Sequence, residues 1–160
     1  MSLVISPITQ QNNEEICKII KAVGEEFGAI GEGFGPSDPE VLAMSEYYTL
    51  EKQSLYLVAT VDGKIVGGCG IAPFNGSIDT CELKKLFLLP QGRGLGLGRQ
   101  LSEQCLQFAT QQGFQQCYLD TLSIMTSAVT LYEKLGFSHL EEPMAGTEHN
   151  GCDVWMIKPL

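Results

Sequence analysis

The chain has 160 residues, 44% hydrophobic and 18% charged, enough apolar material for one domain with its own core and too much for a disordered chain. A formal net charge of −9 argues against a nucleic-acid surface, and no apolar run reaches the length of a membrane span. The N-terminus lacks the basic and apolar regions of a signal peptide, so a cytoplasmic protein is expected.

Val4 to Ile8 reads as a short strand. Asn12 with Glu15 resembles a capping box, and Ile16, Ile19, Ile20, Val23 and Phe27 then share one helical face. Gly28 to Ser37 holds four glycines and a proline and reads as a flexible loop. Asp38-Pro39-Glu40 has Asp as N-cap and Pro at the first helical position, predicting a second helix to about Leu50. Leu55, Leu57, Ala59 and Val61 alternate along a strand, Asp62-Gly63 signals a hairpin, and the return runs from Lys64 to about Phe74, weakened by Gly67, Gly68 and Gly70. Asn75-Gly76 marks a second turn, and a long strand follows from Ile78 to Leu89. Period-2 alternation sets Glu82, Lys84, Leu86 and Leu88 on one face, with Cys81, Leu83, Lys85 and Phe87 on the other.

The next helix carries Leu97, Leu101, Cys105, Phe108 and Ala109 on one face and ends at Gly113. Cys117 to Leu122 is a strand. Ile124, Ala128, Leu131 and Leu135 mark a last helix, stopped by Gly136. Phe137 to Leu140 and Asp153 to Ile157 read as final strands. The order β-α-α-β-β-β-α-β-α-β-β predicts an α/β (α+β) fold, a mixed sheet with helices on both faces, with residues 1–160 as a single domain. The six cysteines, Cys17, Cys69, Cys81, Cys105, Cys117 and Cys152, form no C-x-x-C, and no histidine stands at metal-ligand spacing from them. Four lie in apolar patterns, so neither a zinc site nor a structural disulfide is expected.

The long strand runs through Pro90 into Gln91-Gly92-Arg93-Gly94-Leu95-Gly96-Leu97-Gly98 and directly into a helix. Glycines at every second position let a ligand lie against the backbone, and the free amides of a helix's first turn attract phosphate. A Walker loop needs a Lys-Ser or Lys-Thr after its last glycine, which is absent. A Rossmann fingerprint needs G-x-G-x-x-G, and the third glycine is misplaced, although Asp120 does end the following strand as a ribose-binding acid would.

Gln91-x-x-Gly94-x-Gly96 and Arg93-x-x-Gly96-x-Gly98 both satisfy the Q/R-x-x-G-x-G/A signature of the GNAT family of N-acetyltransferases, which the chain resembles. Leu131-Tyr132-Glu133-Lys134-Leu135-Gly136-Phe137 is similar to that family's late helix-to-strand junction. The resemblance covers nearly the whole chain, is closest from Ser54 to Phe137, and implies a mixed, mostly antiparallel central sheet flanked by helices, the GNAT-like acyl-CoA N-acyltransferase fold. In that family acetyl-CoA lies where two adjacent parallel strands splay, here Glu82 to Leu89 and Cys117 to Leu122. The resemblance implies that the backbone of Leu86, Phe87 and Leu88 pairs with the pantetheine arm. It gives the pyrophosphate to the amides of Arg93, Gly94, Gly96, Leu97 and Gly98, with Gln91 and Leu95 in the same signature.

By the same resemblance Tyr132 is the general acid. A phenol of pKa about 10 stays protonated and can donate to a leaving thiolate. The plainer reading packs Tyr132 beside Ala128. Glu82 matches a general base, acting directly or through water; otherwise it forms an ion pair on its strand face. A backbone N–H near Leu88 would meet the oxyanion. Where many members carry an Asn seven residues before the tyrosine, this chain has Met125, and Ser127 or Thr126 would replace that cofactor contact. His149, alone in a loop, reads first as solvated and second as an acceptor-site residue. Glu32 and Phe34 read first as a mobile surface loop and second as residues that reach the acceptor. The implied activity is acetyl-CoA-dependent transfer of an acetyl group to a primary amine of a small molecule or peptide by direct attack. A non-catalytic acyl-CoA-binding or sensor protein is the alternative from another class. No metal, nucleic acid or membrane is implied, and the sequence leaves open the amine and the oligomeric state, homodimer included.

Overall fold

A computed structural model describes all 160 residues. The elements are β1 (Leu3–Pro7), α1 (Asn13–Glu26), α2 (Met44–Tyr47), β2 (Leu55–Val61), β3 (Lys64–Pro73), β4 (Thr80–Leu88), α3 (Leu97–Gln111), β5 (Gln116–Thr121), α4 (Thr126–Lys134), β6 (Ser138–Leu140) and β7 (Val154–Pro159). One seven-stranded sheet takes the order β1-β2-β3-β4-β5-β7-β6. Every neighbouring pair is antiparallel except β4 with β5, which are parallel. No helix is long and apolar enough to cross a membrane.

The predicted stripes find their cores. Ile16, Ile19, Ile20 and Val23 of α1 pack with Met44, Tyr56, Val58 and Phe87 on one sheet face. Leu97, Leu101, Cys105 and Ala109 of α3 pack with Leu57, Cys69, Ile71, Cys81 and Leu83 on the other, where Tyr132 of α4 joins them. Each of the Ile, Leu, Val, Met and Phe side chains among them, fully buried, contributes about 1.5–3 kcal/mol. All six cysteines are free, and Cys69, Cys81, Cys105 and Cys117 are buried as small core residues.

Two local expectations fail. The capping contact at the first helix belongs to Thr9, whose N–H donates to Asn12 Oδ1 at 2.9 Å, so the chain enters through a 3-10 turn and Glu15 is simply in the first turn of α1. The predicted helix from Asp38 to Leu50 is broken into a 3-10 segment at Pro39–Ala43, the single turn of α2 and another 3-10 turn at Leu50–Lys52. Ala43 at φ −150°, ψ 56° interrupts it. Asp38 makes no capping bond, because its carboxylate is drawn into a charge cluster with Lys85 and His149.

The third difference bears on the site. Gly68 faces Phe87 but Gly70 faces Lys84, so two steps along β3 match three along β4. The extra residue makes a β-bulge, with Lys85 at φ +57°. The predicted alternation therefore reverses after Lys84. Leu86 and Leu88 join Cys81 and Leu83 on the α3 face, whereas Phe87 lies on the α1 face. Glu82 does not share a face with Leu88. The Tyr56 hydroxyl donates to the bulged Lys85 carbonyl at 2.9 Å.

Gly70 makes room for this arrangement: a Cβ there would lie 2.7 Å from Tyr56 Cδ2 and 2.9 Å from Tyr48 Cε1. Both rings are buried and edge-packed, 5.4 Å between centroids, so neither can swing away. Gly70→Ala is expected to destabilise the protein by about 1–3 kcal/mol, the usual cost of overpacking. Denaturant unfolding checks this; an unchanged midpoint would show that the Tyr56 ring is free to move.

Candidate active site

β4 and β5 pair over only three residues, Thr80 with Gln116, Cys81 with Cys117 and Glu82 with Tyr118. Beyond them the strands part. A cleft of about 300 Å³ lies along the parting, walled by Leu86 and Leu88 of β4, Val23 and Phe27 from the α1 side, and Met125, Thr126, Ser127, Ala128 and Leu131 around α4; Arg93, Gly94 and Gly98 close one end. At that end Gly94 and Gly96 take φ +75° and +79°, the left-handed turn that aims the chain into α3. The amides of Gly94 through Arg99 find no backbone acceptor. They form a nest at the positive end of a 15-residue helix, suited to an anion.

Arg93 lies across the cleft mouth. Its Nε donates to the Leu88 carbonyl at 3.0 Å, and its two terminal nitrogens donate to Glu26 at 2.7 and 2.8 Å. A second, narrower space of about 60 Å³ sits deeper, lined among others by Leu86, Phe87, Asp120, Met125, Tyr132, His149 and Cys152. Tyr132 is 7% exposed and packs edge-on to Phe137 at 5.9 Å. Burial pushes its phenol well above the usual tyrosine range, so it remains a proton donor.

Beside Tyr132 is a buried charge cluster. His149 Nδ1 lies 2.9 Å from Asp120 Oδ1 and 3.5 Å from Glu82 Oε2, and its Nε2 lies 2.8 Å from Asp38 Oδ2. Lys85 Nζ is 2.8 Å from Asp38 and 3.2 Å from Glu40; Lys84 Nζ is 3.5 Å from Glu40 and 3.9 Å from Glu82. The Tyr48 hydroxyl donates to Glu40. Thr147 and Tyr118 donate to Asp120 Oδ2 at 2.5 and 3.3 Å. Burial would lower the His149 pKa, but hydrogen bonds to Asp120, Asp38 and Glu82 outweigh it and hold the ring at about 11. Burial likewise opposes ionisation of Asp38, yet His149 and Lys85 bring it down to about 2. Glu82, Asp120 and His149 offer ligand atoms within 4.8 Å of one another, a spacing open to a metal ion. At neutral pH, however, Nδ1 carries the proton where a metal would need the lone pair.

The model of the acetyltransferase (GNAT) family matches residues 20–137. The chain belongs to the GNAT acetyltransferase family. An uncharacterized N-acetyltransferase of Escherichia coli, YjgM, is 37% identical over 161 residues, covering 99% of this chain and 96% of that protein. A GNAT-family acetyltransferase from Staphylococcus aureus superposes with a TM-score of 0.83 at 19% identity, covering 99% of each chain. The yncA structure from Salmonella typhimurium, solved with its cofactor acetyl-CoA, gives 0.79 at 20% identity over 99% of this chain and 94% of that one. The mixed sheet flanked by helices is the GNAT fold, and the protein is an N-acetyltransferase.

Within this GNAT frame, Leu86, Leu88, Arg93, Gly94, Gly98 and Ser127 meet at the larger cleft. Phe87 does not; the bulge turns its ring to the α1 core. Gln91 is exposed and outside both clefts. Leu95 packs against the core and Leu97 is 1% exposed, so Leu97 can offer only its amide. The Arg93 amide is already spent on Pro90 O at 3.2 Å, which removes it from the nest. Met125 lines both clefts, and Thr126 and Ser127 stand beside it in the larger one. His149 is not solvated; it is 6% exposed. Glu82 is 7% exposed and lines neither cleft. Sequence reasoning misses Asp38, which reads as a helix cap, and gives Asp120 only a ribose-binding role that the glycine spacing rejects. A charged residue at the end of a buried strand is the one signal that points to Asp120.

A group whose folded pKa is raised stabilises the fold fully below its unfolded pKa and loses that contribution as pH climbs toward its folded value. For His149 that window runs from 6.5 to about 11. Stability is therefore expected to fall from pH 6.5 to about 8.5, before cysteines titrate in the unfolded chain, and His149→Gln should flatten this slope. Asp38 works oppositely: its contribution is present above 3.8 and is lost as pH falls through about 2. Chemical denaturation across pH checks both; a parent slope identical to that of His149→Gln would mean that the ring is not charged in the fold.

Proposed function

We propose that residues 1–160 act as one catalytic domain that takes an acetyl group from acetyl-CoA and passes it directly to a primary amine of a small molecule or peptide. The observation that carries this reading is the parting of β4 from β5 with an anion-binding nest at one end and a protonated phenol at the other. The Salmonella neighbour's acetyl-CoA supports the same donor here.

In this reading the pyrophosphate rests on the amides from Gly94 to Gly98, and the pantetheine arm pairs with the edge of β4 that β5 leaves free around Leu86 and Leu88. Ser127 and Thr126 supply polar contacts from the α4 side. The thioester then lies near Tyr132. The amine attacks its carbonyl carbon, a backbone N–H near Leu88 receives the oxyanion, the C–S bond breaks, and Tyr132 gives its proton to the departing thiolate. Glu82 accepts the proton that the amine loses, directly or through water. The chemistry uses no metal and suits a cytoplasmic enzyme, where acetyl-CoA is at hand.

The direct test is acetyl-CoA binding by calorimetry, followed by thiol release with a panel of amines. Binding without thiol release would favour an acyl-CoA sensor. Tyr132→Phe is expected to lower kcat by roughly 10²–10⁴-fold, the range for general acid catalysis, with acetyl-CoA affinity unchanged. A kcat equal to the parent's would remove the acid role.

Glu82→Gln keeps the shape of the side chain and removes its charge. An alkylamine of pKa about 10.4 is mostly protonated at neutral pH. The variant should trail the parent most near pH 7 and recover as pH approaches the amine's own pKa. A deficit in kcat/KM that stays constant with pH would reassign Glu82 to positioning.

A further inference from the structure

Glu82 and Asp120 come from neighbouring strands and turn toward one nitrogen, His149 Nδ1, at 3.5 and 2.9 Å. The rest of the cluster nearly cancels. Lys85 is matched by Asp38 and Glu40, and Lys84 is closer to Glu40 than to Glu82. His149 is thus the near counter-charge for two carboxylates whose side chains are only 10% and 2% exposed. Without a cation between them, two buried carboxylates are costly to keep ionised.

His149 does not belong to the sheet. It sits in the segment between β6 and β7, and that segment is tied to another loop as well as to Asp120 and Glu82. Nε2 meets Asp38, the Gly151 N–H donates to the Gly33 carbonyl at 2.9 Å, and Phe34 packs so closely on Gly151 that a Cβ there would come within 2.5 Å of its ring. His149 and Asp120 line the narrow space beside Tyr132, and Glu82 does not. The cradle beside Tyr132 is already filled by one of the protein's own cations, carried on a loop.

We propose that His149 is a stand-in for the acceptor's ammonium group, and that the acceptor is a cationic primary amine held by Asp120 and Glu82 once the His149 segment withdraws. This rests on the acetyl-transfer reading above. An alkylammonium brings three N–H donors where the imidazole Nδ1 brings one, so it can bond both carboxylates at once. Tyr118, on the sheet, keeps its bond to Asp120 Oδ2 when Thr147 leaves with the loop. Asp120 is then a specificity residue: it selects the charge of the acceptor, and Glu82 takes its proton. An arylamine, uncharged at neutral pH, has nothing to exchange for the imidazolium, and an amine flanked by a carboxylate brings an anion to a site of net negative charge.

The chain has two histidines, so the imidazole NMR spectrum of the CoA-bound protein reads His149 directly once His139→Gln has fixed the assignment. Titration with n-pentylammonium is expected to move the His149 signals and leave those of His139, while n-pentanol moves neither. That arm needs no variant in the cradle. In acetyl transfer at neutral pH, Asp120→Asn is expected to raise KM for n-pentylamine roughly tenfold or more, the scale of one lost charged hydrogen bond, with kcat little changed. His149 signals indifferent to pentylammonium, or an Asp120→Asn KM for n-pentylamine equal to the parent's, would overturn the proposal. CoA binding with no acetyl transfer to any amine would instead overturn the acetyl-transfer reading, and the NMR titration would still decide the cradle.

Discussion

The parting of β4 from β5 is the constraint on which the rest of the molecule depends. A parallel pair that ends after three residues leaves main-chain donors and acceptors on both strands without partners, inside the protein, where they are costly to leave unmade. β5 pairs with β7 on its far edge as far as Thr121, which leaves its β4-facing edge open. β4 likewise stays paired with β3 through the bulge as far as Leu88, and its β5-facing edge is open beyond Glu82. A ligand with its own amides fits that gap as an added strand would. The bulge is in turn held by Tyr56 from one side and permitted by Gly70 from the other. A missing side chain on β3 thus shapes a cleft on β4.

The charge cluster is the second fixed feature, and stability alone does not account for it. Seven charged side chains, Asp38, Glu40, Glu82, Lys84, Lys85, Asp120 and His149, are gathered where each loses solvation. Packed apolar residues of the same volume would often do as well or better. What the cluster does is tie the connection after α1 and the loop before β7 to the adjacent strands β4 and β5. Asp38 comes from the connection after α1, Glu82 and the lysines from β4, Asp120 from β5, and His149 from the loop before β7. The bulge matters here too, since it lets Lys84 and Lys85, adjacent in sequence, both turn toward the α1 side.

Much of this is legible in the sequence, and the boundary falls between local and long-range information. Gly94 and Gly96 announce a left-handed turn because only backbone space and φ are involved. The stripes on α1 and α3 announce their burial because periodicity is local. Asp62-Gly63 announces its hairpin for the same reason, and both residues take positive φ. The bulge is invisible, since nothing in Glu82 to Leu88 departs from alternation; the misfit exists only between β3 and β4. Asp38 followed by proline is a sound helix start until Lys85, 47 positions away, claims its carboxylate. His149 looks solvated because its three carboxylate partners are scattered over the chain.

Tyr132 shows that a packing role and the proposed chemical role need not compete. Its place on the α4 stripe makes it part of the α3-side core, and the Gly136 turn at φ +98° sets Phe137 edge-on against its ring. That same burial keeps the phenol neutral far past physiological pH. A solvent-exposed tyrosine there would be mobile and would share its proton with water. The core therefore does for Tyr132 what carboxylates do for His149: it fixes the protonation state. One environment does so by withholding solvent, the other by supplying opposite charge, and the two side chains face the same narrow space. The proposed direct attack by an amine asks for that combination, a neutral donor for the leaving thiolate beside a charged cradle for the arriving nitrogen.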